Sequence, residues 1–152
     1  EAFFAKAEPW LRQAIQTPSI DLRAVAALIQ PRCEVLGDIP EKVAFLQALP
    51  AYDNALYIHK KSKTNLENSL ESLEAALPVL EGLSDWSNAG LYDALTALAS
   101  CREVKNSVIL WPVRVAISGL QSTPGGATEL AALLGKDETL HRIRQGIAQL
   151  RG

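Results

Sequence analysis

The chain has 152 residues, 15 Lys/Arg against 17 Asp/Glu, and a hydrophobic content of 48%, enough to bury a real core in one domain or two small subdomains. No apolar run approaches the ~20 residues a bilayer span needs, and the two cysteines, Cys33 and Cys101, are too few for a disulfide framework. A soluble, cytoplasmic protein with reduced, inert thiols is expected, and a first residue Glu1 with no signal peptide ahead of it reads as a piece excised from something longer.

Helix signals then follow along the chain. Leu22, Val25, Leu28 and Ile29 stand at helical spacing after Asp21, with Pro31 marking the end. Asp38-Ile39-Pro40-Glu41 forms an N-terminal box ahead of Val43, Leu46 and Leu49. Thr64-Asn65-Leu66-Glu67 reads as a Thr-x-x-Glu capping box. It opens a stripe of Leu66, Leu70, Leu73, Leu77 and Leu80 that Gly82 stops. About two heptads are too few for a coiled coil, so an amphipathic core helix is predicted.

Ser87 or Asn88 caps the next helix, about 89–99, with Leu91, Leu95 and Leu98 inward. A helix over about 105–118 contains Pro112, which either sits in an early turn or bends it; Gly119 ends it. Leu130 to Leu134 makes a short helix closed by Gly135. Asp137 begins the last, with Leu140, Ile143, Ile147 and Leu150 in steps of three and four. No stretch alternates with period two long enough for a strand. The fold class is therefore all-α, with seven or eight short helices and a seam near residues 50–63.

Charge is unevenly spread. Residues 1–104 hold 9 Lys/Arg against 14 Asp/Glu, whereas 105–152 hold Lys105, Arg114, Lys136, Arg142, Arg144 and Arg151 against Glu129, Asp137 and Glu138. A basic C-terminal third is what a phosphate-facing surface looks like, and also what a solvated helix face looks like.

Catalytic and metal readings fail. His59, His141, Cys33 and Cys101 stand far apart, with no C-x-x-C or H-x-x-x-H pair. There is no G-x-x-x-x-G-K-(S/T) and no G-x-G-x-x-G, and Gly125-Gly126 does not follow a strand. No catalytic residue, no metal site and no cofactor are expected within the chain itself.

One segment carries more. Pro112-Val113-Arg114-Val115-Ala116-Ile117-Ser118-Gly119 is followed by the turn Ser122 to Gly126, then by Glu129-Leu130 and Leu134-Gly135-Lys136-Asp137. This string resembles the signature of bacterial glutamyl-tRNA synthetases, P-(L/V/I)-R-V-A-(L/V/I)-(T/S)-G, a proline-containing loop, then E-L, a short spacer and L-G-K-(E/D). Asp85-Trp86-Ser87 and Pro31-Arg32-Cys33-Glu34-Val35-Leu36 are similar to further family elements; the likeness is strongest from 85 to 143 and moderate from 32 to 61. Class I lysyl-tRNA synthetases share a similar helical cage but match the string less well.

The resemblance implies a two-part helical cage, residues 1–50 and 51–152, that grips a tRNA anticodon loop. Arg114, as the arginine of P-x-R, would reach the anticodon bases. Trp111, just before the proline, would stack on a base or serve as ordinary core. Thr123, Pro124 and Gly125 match the T-P-G that relatives present to the anticodon. After them Gly126 and Ala127 stand where some relatives carry large apolar residues, and one residue is inserted before Glu129. Arg32 would separate glutamate from glutamine anticodons at the third base, or act as a capping or salt-bridging residue after Pro31. The partners implied are tRNA(Glu) and an N-terminal catalytic domain of the same chain. ATP and Mg belong to that parent enzyme, which would work as a monomer.

Lys60-Lys61-Ser62-Lys63 is similar to the flexible K-M-S-K-S loop of class I synthetases, but no H-I-G-H-like partner occurs in the chain. It reads as a solvated basic linker or as a phosphate contact. Two other functions remain open: a helical protein-interaction module using an exposed Leu66–Leu80 face, and a small helical enzyme.

Overall fold

A computed structural model describes residues 2–16, 20–32, 39–121, 123 and 125–152. Among the described residues there are eight α-helices and no strand. They are α1 (Ala2–Ala14), α2 (Leu22–Ile29), α3 (Ile39–Gln47), α4 (Leu66–Glu81), α5 (Asn88–Cys101), α6 (Asn106–Ser118), α7 (Ala127–Leu134) and α8 (Lys136–Arg151). Two 3-10 turns, Gln30–Arg32 and Asn54–Tyr57, complete the order. The all-α expectation holds.

Two helix starts carry the side-chain cap that the sequence offers. Asp21 caps α2 by accepting from the N–H groups of Arg23 (3.0 Å) and Ala24 (3.4 Å), and the Ser87 hydroxyl accepts from Gly90 N–H. At α4 the box lies one residue later than the sequence suggests. Asn65 is the cap, and it exchanges hydrogen bonds with Asn68, each 2.8 Å. Both side chains of such a box only accept from backbone N–H groups, and the Asn Oδ1 is such an acceptor, so an Asn pair closes the box as well as Thr with Glu does. The start of α3 falls partly outside the described residues, and Leu49 lies beyond its end.

The sequence pattern assigns no helix before residue 21, yet α1 is there. Pro9 interrupts its pattern. The helix survives because Ala7, Leu11 and Ile15 bury at steps of four, and the carbonyl that Pro9 leaves unpaired is on exposed Ala5. Pro112 sits mid-helix in α6, and the carbonyl one turn back is that of Val108. The buried Ser72 hydroxyl of α4 donates to it at 2.9 Å, so a neighbouring helix supplies the donor that proline lacks. The Leu66–Leu80 stripe is core: Leu73 and Leu80 are fully buried, Leu70 and Leu77 pack against the core, and only Leu66 is exposed. That removes the exposed face which the protein-interaction alternative requires.

Helices α1, α2 and α3 pack on one another, and α4 to α8 pack on one another. The segment between the groups is ordered. Asp53 caps the Asn54–Tyr57 turn, and buried Tyr57 joins hydroxyls with Tyr52 at 2.7 Å. Burial pushes the Tyr57 pKa well up, so this contact stays un-ionised at ordinary pH. His59 to Thr64 then closes as a tight turn, with two backbone hydrogen bonds between its ends of 3.3 and 3.1 Å. Lys60–Lys63 is therefore a fixed turn and not a bare linker.

Arg142 joins the two helix groups, and nothing in its sequence setting announces it beyond its place on the apolar side of α8. It is only 1% exposed. Its Nη1 donates to the carbonyls of Phe45 (2.8 Å) and Ile117 (2.7 Å), its Nη2 to Leu46 (3.4 Å), and its Nε to Glu138 (2.7 Å). The carbonyls belong to the last turns of α3 and α6, where helices run out of internal donors and carry partial negative charge.

Gly119 ends α6 at φ 66°, and a Cβ there would lie 3.0 Å from the Pro50 carbonyl oxygen and 3.1 Å from the Tyr52 ring. Both the left-handed backbone and the backbone contact resist a side chain. Gly119→Ala should therefore lower stability by about 1–2 kcal/mol in urea unfolding. Unchanged stability would show that the turn relaxes freely.

Candidate nucleic-acid interface

Arg114 lies in the third turn of α6, half-buried, and its side chain is held by neutral partners. Nη1 donates to Thr123 Oγ1 (2.8 Å), Nη2 to the Gln121 carbonyl (2.6 Å), and the guanidinium lies 4.4 Å from the Trp111 ring centre. Burial lowers its pKa from the ordinary value. Arginine titrates so far above neutrality that the charge is kept. The result is a positive fork steadied by a hydroxyl, a carbonyl and a π-face, with no carboxylate among the described residues in contact to neutralise it.

The motif around it has a mechanical explanation. The buried Ser118 hydroxyl donates to the Arg114 carbonyl (2.6 Å) and accepts from Leu120 N–H (3.2 Å). With Gly119 in the left-handed conformation, this turns the chain sharply enough for Gln121 and Thr123 to return to the Arg114 side chain. Thr123 also donates to the Gly125 carbonyl. Gly126 N–H donates to Glu129, which starts α7. Lys136 of the L-G-K element donates to the Leu83 carbonyl at 2.9 Å, a structural task.

Trp111 is half-buried and already engaged. Its Nε1 donates to the Leu56 carbonyl (2.9 Å), and its ring stacks on His59 at 3.7 Å with planes 9° apart. His59 is held in turn by Ser62, whose N–H donates to Nδ1 at 3.2 Å. His59 is the site residue that sequence reasoning missed. A lone histidine beside three lysines gives no signal that it packs on a tryptophan fifty-two positions away.

Arg114, Trp111, Thr123 and Gly125 thus come together. Gly125 also approaches the first helix group: a Cβ there would lie 2.7 Å from Leu28 of α2. Four residues on from Leu28, roughly 6–8 Å of axial rise, comes Arg32, the last residue of the 3-10 turn. The Arg32 side chain, Pro124 and Cys33 lie outside the described residues. Cys101 is a free, exposed thiol. Among the described residues no three His, Cys, Asp or Glu side chains form a metal-holding group, and no helix is long and apolar enough to cross a membrane.

The basic C-terminal third does not survive as a surface. Arg142 is internal, Lys136 is tied to a carbonyl, and Arg144 and Arg151 pair with Glu81 and Glu74 of α4. Of that set, Lys105, Arg114 and Lys136 have no carboxylate partner among the described residues, and of these three Lys105 is exposed. The exposed Lys60, Lys61 and Lys63 belong to the turn that stacks against Trp111.

Comparison with known proteins agrees with this geometry. The chain is 48% identical over 151 residues to the glutamate–tRNA ligase of Clostridium tetani, spanning 99% of this chain and 31% of that protein. It is 53% identical over 131 residues to that of Clostridium novyi, spanning 86% and 27%. It therefore covers about three-tenths of the length of these relatives. In fold it is similar to a glutamate tRNA ligase from Elizabethkingia meningosepticum, with a TM-score of 0.75 at 20% identity over 98% of this chain and 29% of the other. The family model described as an anticodon binding domain matches residues 2–147. A match across nearly the whole helical cage settles the assignment: the chain belongs to the anticodon binding domain family.

Proposed function

We propose that this chain binds the anticodon loop of glutamate tRNA and is the recognition part of a glutamate–tRNA ligase. The observation that carries the reading is the Arg114 corner. A charged donor fork with neutral partners, beside a π-stack, suits the splayed bases and phosphates of a single-stranded loop. Residues 1–50 and 51–152 act as the two walls of the cage, tied by Arg142. Arg32 at the edge of the first wall reads the third anticodon base. Thr123, Pro124 and Gly125 present the loop edge, and Trp111 holds Arg114 in place and offers an aromatic face if His59 yields it.

The chemistry of charging belongs to an N-terminal catalytic domain of the same protein, where ATP and Mg are used. The residues of this chain offer no phosphate loop and no group of metal ligands among those described. The parent enzyme is cytoplasmic and monomeric.

The test is titration of the chain with an RNA hairpin of the glutamate-tRNA anticodon stem and loop, and with the same hairpin carrying a glutamine anticodon. The glutamate hairpin should bind tighter. Arg32→Gln should narrow the gap by about 1–3 kcal/mol, the scale of one bidentate base contact. Equal binding of both hairpins by the wild type would reject the specificity, and no binding of either would reject the function.

A further inference from the structure

The turn at 60–63 is left unused by the anticodon reading. Lys60, Lys61 and Lys63 are exposed, and no carboxylate contacts them among the described residues. Two contacts hold the turn against the first half of α6: the His59–Trp111 stack, and the Ser107 hydroxyl donating to the Ser62 carbonyl at 3.3 Å. Ser107 and Trp111 stand seven and three residues before Arg114, within about 60° of it around α6. Three lysines therefore stand on one turn whose backbone is fixed against the Arg114 side of α6. Lys63 stands at φ 59°, a conformation Asn or Gly adopts at less cost.

We infer that Lys60, Lys61 and Lys63 form a second RNA-binding surface, a sequence-independent seat for the phosphates of the anticodon stem. This rests on the anticodon-loop reading and extends it. Seven residues of α6 separate Ser107, where the turn is held, from Arg114, about 10 Å along the helix. That is about three nucleotides of a stacked strand at 3.4 Å each. With Arg114 at the loop, the lysine face falls beside the adjoining stem. Such contacts position a nucleic acid without reading it. The Trp111–His59 stack and the Ser107–Ser62 hydrogen bond join the two places, so a stem seated on the lysines is aligned for Arg114.

The experiment measures the affinity of the chain for the glutamate hairpin across a salt series. It compares wild type, a variant carrying Lys60→Ala, Lys61→Ala and Lys63→Asn, and a control in which exposed Lys6, Arg12 and Arg151 become alanine. Removing one lysine–phosphate pair should lower the slope of log affinity against log salt by about 0.9. The turn variant should therefore show a slope smaller by about two to three, equally for the glutamate and the glutamine hairpins, and keep the anticodon preference. In the control the slope should change by less than about one. Circular dichroism should show the turn variant folded, since Lys63→Asn eases its backbone. An unchanged slope in the turn variant, or an equal change in the control, overturns the stem seat while the anticodon reading stands. No binding by wild type overturns both, and loss of the anticodon preference in the turn variant would make the lysines base readers instead.

Discussion

Replacing Arg142 by alanine should remove about 3–5 kcal/mol of stability, the scale for breaking a buried, hydrogen-bonded charge network. The guanidinium serves three backbone carbonyls and one carboxylate at once. Glu138 is 46% exposed and can turn to water once released. The carbonyls of Phe45, Leu46 and Ile117 have no such freedom. The residue four places after Leu46 is Pro50, which has no N–H to offer, so Arg142 replaces a donor the chain lacks. At about 2–4 °C per kcal/mol for a protein of this size, the midpoint of thermal unfolding should fall by roughly 6–20 °C. Arg142→Lys should recover only part, since an ammonium cannot span four acceptors in a plane. Urea unfolding of the three proteins gives the answer. A decrease below about 1 kcal/mol in the alanine variant would mean that water replaces the guanidinium, and Arg142 would cease to be the tie between the walls.

Arg114→Ala is expected to act mainly on RNA. Its internal partners, the Thr123 hydroxyl and the Gln121 carbonyl, are neutral and sit in a loop where Gln121 is exposed, so both can be rehydrated. The decrease in stability should stay near 1–2 kcal/mol, including the packing on Trp111. Affinity for the glutamate hairpin should fall about 10–100-fold, the equivalent of one good base contact, with the anticodon preference reduced. Arg114→Lys should restore the charge but not the fork, recovering salt-dependent binding more than preference. The opposite pattern, a drop of several kcal/mol in stability with anticodon-dependent binding kept in the folded fraction, would make Arg114 a clasp for the 121–125 loop and nothing more.

The same residue type thus has opposite fates on neighbouring helices, and local sequence does not separate them. Arg114 follows apolar residues on both sides and looks the more buried of the two. Arg142 stands among Asp137, Glu138, His141 and Arg144 and looks solvated. The structure reverses this, because α3 and α6 end their last turns beside α8 and need donors there.

The class of fold, most helix bounds after residue 21, the left-handed stop at Gly119 and the family signature that points to Arg114 were all legible in the amino-acid order. Each rests on interactions within one or two helical turns, which periodicity, caps and glycine report directly. Which cations are free was not legible, and it took the packed helices to settle it. Packing buried Arg142, paired Arg144 and Arg151 with α4, and held the turn of Lys60, Lys61 and Lys63 against α6. It also placed His59 on Trp111 and gave Ser72 to the carbonyl that Pro112 orphans. Apart from the neighbours Lys60 to Lys63 and the Glu138–Arg142 pair, each of these joins residues at least 25 positions apart. Such pairings depend on how whole helices dock, and no local propensity encodes them.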